Sequence, residues 1–195
     1  MKTTTKMLLI PILLLVSCSH YIINEAGYIR PPKHYKFTYR KKVKPLGNPT
    51  IIDTNAVYYL SDANFYRDSD AYKVNDRYLR FYADGRVKLQ STKTFPKINE
   101  VNDPDRGIVG YFHLKDSLVR IQLYSDIGGG SDQLHFGKID SFGNLVLLHD
   151  NPRTGFRMGF GKAGTDRRIE RKSYYNPLVY RKIYLEEMTY DKGNW

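Results

Sequence analysis

YLRFYADGRVKLQS, residues 78–91, decides how this chain is to be read. Leu79, Phe81, Val87 and Leu89 alternate with Arg80, Tyr82, Arg86, Lys88 and Gln90, and Asp84-Gly85 stands between the two runs. A period of two puts one set on an apolar face and the other opposite it, and Asp-Gly between alternating runs is the strongest short hairpin signal. The unit is therefore a β-hairpin with a greasy side and a charged side.

Working outward, the same pattern recurs. IVGYFHL (108–114) and LVRIQLYS (118–125) meet at Lys115-Asp116-Ser117, and QLHFGKID (133–140) and LVLLHD (145–150) meet at Ser141-Phe142-Gly143-Asn144. TIIDTNAVYYL (50–60) precedes the series and LVYRKIYL (178–185) follows it. Seventeen tyrosines and nine phenylalanines favour strands over helices, and no segment keeps a helical period over three turns. Only the loops at 61–76 and 164–174 have room for a short helix. The expected class is all-β: an antiparallel up-and-down meander of about eight strands, closed as a small barrel or half-barrel. A two-sheet β-sandwich is the competing architecture.

The amino end sets the compartment. Lys2 and Lys6 precede an apolar run, Met7 to Val16, too short for a span that needs about twenty residues. This is leader architecture. It ends in Leu15-Val16-Ser17-Cys18, and Cys18 is the one cysteine of 195 residues. Those four residues resemble the lipobox of bacterial lipoprotein signal peptides. The resemblance implies that the chain is cleaved before Cys18 and that the Cys18 thiol carries diacylglycerol. Two or more acyl chains hold a protein stably at a membrane. Ser19, rather than an aspartate, implies the outer membrane, and the lack of an acidic run after Cys18 implies a periplasm-facing position rather than the cell surface. FYADGRV, GYFHL and VRIQLY are further similar to small Gram-negative lipoproteins with a lipocalin-like meander. The Gly-x-Trp of true lipocalins has no counterpart at the first strand, so no ligand residues are carried over.

These boundaries divide the chain into a signal peptide (1–17), a basic proline-containing tether (18–49), a β-meander domain (50–187) with a long basic loop at 150–177, and a tail (188–195). The net charge of +11 leaves +9 once Lys2 and Lys6 are removed. Within the tether, Tyr35, Phe37 and Tyr39 alternate with Lys36, Thr38 and Arg40. Rings on one side and charge on the other suit either an edge strand with a solvated basic face or a segment lying on an anionic membrane surface.

Chemistry-bearing motifs are few. GFGKAG at 159–164 has the spelling of a dinucleotide loop without the parallel βαβ unit that motif needs, and the glycines at 128–130 read as a flexible turn. His113, His135 and His149 lie on or beside expected strands, and His20 and His34 in the tether, without the compact spacing of a metal site. The expectation is no metal and no cofactor. The segment 150–177 interleaves Arg153, Arg157, Arg167 and Arg168 with aromatic residues including Tyr174 and Tyr175. That mixture suits forked hydrogen bonds and stacking on an anionic or sugar ligand, and those six are the candidate ligand residues, with Arg86 and Arg120 as possible rim anchors. An envelope address removes nucleic acid as a partner. Without a nucleophile or acid/base constellation, the expected role is a non-catalytic binding module for a small or lipid-like ligand or a partner. The alternative is a structural or assembly lipoprotein contacting lipopolysaccharide, peptidoglycan or an outer-membrane protein.

Overall fold

A computed structural model describes residues 21–42, 51–61, 76–115, 118–126, 130–147 and 178–189. Ten strands and one short helix follow in chain order: β1 (Ile22–Ile23), β2 (Ile29–Arg30), β3 (Val57–Leu60), β4 (Asp76–Phe81), β5 (Arg86–Thr92), α1 (Ile98–Asn102), β6 (Ile108–Lys115), β7 (Leu118–Ser125), β8 (Ser131–Ile139), β9 (Leu145–Leu147) and β10 (Leu178–Ile183). Strands β3 to β10 pair antiparallel with their sequence neighbours, and β10 closes on β3. The result is an eight-stranded up-and-down barrel, as the lipocalin-like meander implied. Closure displaces the sandwich, because every long strand has a partner on both sides and no edge is left.

Local chemistry sets the register. Phe81 opposes Val87 and Tyr82 N–H donates to the Arg86 carbonyl at 2.9 Å, so the hairpin turns through three residues, Ala83-Asp84-Gly85, with Gly85 at φ 82°. The loops Glu25-Ala26-Gly27 and Ser141-Phe142-Gly143 repeat this geometry, each ending in a positive-φ glycine. A type I turn closed by a left-handed third residue is a preferred three-residue hairpin, and glycine enters that region without a Cβ clash. Gly110 on β6 answers a different need: a Cβ there would lie 1.9 Å from the Gln122 carbonyl oxygen on β7.

The apolar alternation turns inward. Leu79, Phe81, Val87, Phe112, Ile121, Leu123, Leu145 and Tyr180 belong to one buried cluster that fills the barrel. Phe81 stands edge-on to both Phe112 (4.9 Å between centroids) and Tyr58 (5.3 Å), which plugs the end carrying the β4–β5 turn. Toward the opposite end, Tyr180 pairs with Arg77, and burial pushes the Tyr180 hydroxyl up to about 12. Arg77 shares the inward face of β4 with Leu79 and Phe81 by strand alternation.

Two outer layers complete the molecule. Residues 21–42 run along β6 and β7, burying Phe37 and Tyr39 against Tyr111 and Tyr124. The edge strand expected at 35–40 is not formed. The segment is extended chain ending in a 3-10 turn at Tyr39–Lys42, and its rings pack on the barrel face instead of pairing its backbone with an edge. On the other side α1 and residues 184–189 cover β3–β5, with Val101, Leu185 and Met188 packed on Val57 and Tyr78. Helix α1 lies between β5 and β6, where no helical period was expected, because a five-residue helix is too short to show one.

Candidate functional site

The charged side of the 78–91 hairpin is buried. Arg80 is 2% exposed and Lys88 0%, although their alternation with Leu79, Phe81, Val87 and Leu89 points them away from the barrel interior. Helix α1 explains this. Its last carbonyls lack partners within the helix and form its negative end, so cations are favoured there. Lys88 Nζ donates to the carbonyls of Val101 (3.0 Å) and Asp103 (2.5 Å). Arg80 donates to the Val101 carbonyl (2.8 Å), to Asn102 Oδ1 (3.2 Å) and to the Thr189 carbonyl. Burial, reinforced by the Arg80 charge, pulls the Lys88 ammonium down to about 7. Asp103 works against that shift and also pairs with Arg106 at 3.2 Å.

The same hairpin opens onto solvent at its turn. Arg40, Asp84, Arg86 and Tyr111 line a cavity of about 350 Å3 between the N-terminal segment and the β4–β5 turn. A smaller one of about 170 Å3, lined by Thr54, Arg80, Phe81, Tyr82 and Ala83, shares Asp84 and Arg86 with it. Arg86 is fixed by Asp84 Oδ2, which receives Nε at 2.8 Å and lies 2.6 Å from Nη2. The Tyr82 ring has the Arg80 guanidinium 4.8 Å from its centre and that of Arg86 at 5.9 Å. Among the described residues, Arg40 and Arg86 against the one carboxylate of Asp84 leave this groove electropositive, with the Arg80 charge behind the Tyr82 ring. Donors of that kind hold a carboxylate or phosphate, and Asp84 fixes the orientation of the Arg86 fork.

The N-terminal segment closes one wall through a polar relay. Tyr39 N–H donates to Gln122 Oε1 (2.9 Å), and Gln122 Nε2 donates to Asp132 Oδ2 (2.6 Å). Burial pushes the Asp132 carboxyl up to about 6. Arg120, considered above as a rim anchor, lies beneath this segment: it is 3% exposed, on the outer face of β7, and its charge acts on the Tyr39 hydroxyl. Arg86 does stand at a rim, at the plugged end.

His113 opposes Arg120 on the outer face, while His135 opposes Ile121 on the inner face. The sheet separates them, so these two histidines do not share an ion. Among the described residues there is no group of three or more His, Cys, Asp or Glu that could hold a metal ion. Cys18, His20, His149, the GFGKAG stretch and the candidates Arg153, Arg157, Arg167, Arg168, Tyr174 and Tyr175 lie outside the described residues. Sequence reasoning missed Arg40 as a groove residue, since nothing local shows that residue 40 returns to the turn at 84. It also missed the Lys88 and Arg80 grip on α1, for which the helix itself was the absent signal. No family model, no curated protein and no solved structure matches the chain.

Proposed function

We propose that the chain is a lipid-anchored envelope protein, acylated at Cys18, and that it works as a non-catalytic binding module through the outside of its barrel. One observation carries the second half: a packed apolar cluster fills the barrel interior around Phe81 and Ile121, with Arg77 and His135 as inward polar residues, whereas the arginine-lined groove lies outside it. The preferred occupant is an anionic group, carboxylate or phosphate, of an envelope component. A small lipid-like ligand inside the barrel is the reading this packing disfavours.

The distribution of polarity supports a barrel whose outer face does not meet lipid. Lys88, Gln90, Arg120 and Gln122 all lie on the outer face of their strands, the reverse of the apolar outer band of a membrane-spanning barrel. No helix among the described residues is long and apolar enough to cross a membrane. An outer-membrane, periplasm-facing position remains part of the proposal on the strength of the leader and of Ser19.

Two measurements test it. Cells fed labelled fatty acid are expected to label the wild-type chain and not Cys18→Ala. Native mass spectrometry of protein extracted mildly from membranes is expected to show a bound anionic molecule that Arg40→Glu releases. A molecule retained by Arg40→Glu would place binding elsewhere, and an unlabelled wild type would remove the anchor.

A further inference from the structure

The N-terminal segment buries its rings and leaves its charges outside. Phe37 and Tyr39 are buried and Tyr35 packs against Phe37 and Tyr124. Lys33, His34, Lys36, Thr38, Arg40 and Lys41 are exposed. No acidic residue occurs between positions 31 and 41. Among the described residues none of these four cations takes part in an ion pair. The membrane-surface alternation seen in the sequence is thus half used: the ring side is spent on the barrel and the basic side stays free.

A second feature stands beside it. Ile22 is 48% exposed and Ile23 61%, an adjacent apolar pair on a two-residue strand. Their hairpin does not dangle. Asn24 Nδ2 donates to the Asp105 carbonyl (2.7 Å), and Arg30 donates to the carbonyls of Asp105 (2.6 Å) and Gly107 (2.8 Å). Cys18 is four residues before Ile22 and five before Ile23, so at about 3.5 Å per residue their backbones lie within about 14 Å and about 18 Å of the anchored residue.

We infer that the solvent side of this segment, Ile22 and Ile23 together with Lys33, Lys36, Arg40 and Lys41, rests on the anionic phospholipid surface of the bilayer that holds the Cys18 lipid. The inference takes its address from the anchored reading but not its binding chemistry. Basic residues beside an anionic leaflet are attracted within a Debye length, and apolar side chains enter the interface next to them. The segment runs from Gly107, at the start of β6, to the groove beside Asp84. Contact along its whole length therefore lays the barrel on its side and sets the Arg40–Arg86 groove among the headgroups.

The test uses the mature chain, residues 18–195, carrying Cys18→Ser so that no lipid contributes. It is sedimented with vesicles of phosphatidylcholine alone and of phosphatidylcholine with phosphatidylglycerol, at low and high salt. Binding is expected on the anionic vesicles at low salt and to be lost at high salt. Lys36→Glu with Arg40→Glu is expected to weaken it by at least about twenty-fivefold, since each base contributes about fivefold. Ile22→Ser with Ile23→Ser is expected to weaken it severalfold while leaving the salt dependence. These positions are exposed, and an unchanged melting temperature verifies the fold. Equal binding to both vesicles, no binding to either, or no effect of the paired reversals overturns the inference. Fatty-acid labelling at Cys18 is read separately, so a failed anchor and a failed surface give different results.

Discussion

The barrel wears two covers, both with apolar packing and hydrogen bonds beneath them, and they differ in the contact that marks each. Over β6 and β7 the N-terminal segment is held by ring packing: Phe37 lies 5.0 Å from Tyr111, and Tyr35 stands 4.6 Å from Tyr124. Over β4 and β5 helix α1 is held by two cations that reach its terminal carbonyls. In sequence both faces are outward positions of alternating strands. The difference teaches that an outward polar residue is solvated only when nothing with matching acceptors lies over it, and here a helix end supplies them.

That contrast can be broken at either cover. Phe37→Ala removes a buried ring and is expected to cost about 3 kcal/mol in urea denaturation, with faster amide exchange over 29–41 and none of that gain in α1. Arg80→Ala strips a donor from the Asn102 side chain and the Thr189 carbonyl, and is expected to cost about 2 kcal/mol. Its exchange signature should be the converse, with loosening at 98–103 and 184–189 and a quiet N-terminal segment. Equal loosening of both covers by either change would show that they are one cooperative layer.

Lys88 sharpens the comparison through pH. Its folded-state value near 7 lies below its unfolded value near 10.4, so between those limits the unfolded chain binds more protons and stability rises with pH. This one group adds a slope of at most about 1.4 kcal/mol per pH unit, seen as a urea midpoint climbing from pH 7 to pH 9. Lys88→Met is expected to flatten that climb, whereas Phe37→Ala leaves it intact. Smallest of all, Lys36→Glu on the solvent side of the N-terminal segment is expected to change stability by about 0.5 kcal/mol or less. A larger loss would mean that this charge is part of the cover after all.

Much of the barrel was legible because closure is a local problem repeated. Each hairpin announces itself through alternation, two of them also through a turn glycine at Gly85 and Gly143, and sequential hairpins leave an up-and-down meander as the simplest assembly. Inward residues such as Leu79, Phe81 and Val87 were equally readable. The groove was not, because Arg40 and Asp84 come from segments far apart in the chain. Nor was the burial of Arg80 and Lys88, which requires knowing where α1 comes to rest.

The sequence by itself determined the strand count of the barrel, though not the β1–β2 hairpin before it, the pairing of neighbours, which side chains fill the barrel and the expectation of an anchored Cys18. All of these depend on side-chain period, turn conformation or a contiguous motif. Only the tertiary structure decided what lies outside the barrel: rings at 35–39 spent on β6 and β7, cations at 80 and 88 spent on a helix end, and the bases at 33–41 left facing solvent. The physical reason is that alternation fixes the face a side chain takes, while the layer that covers that face arrives from elsewhere in the chain.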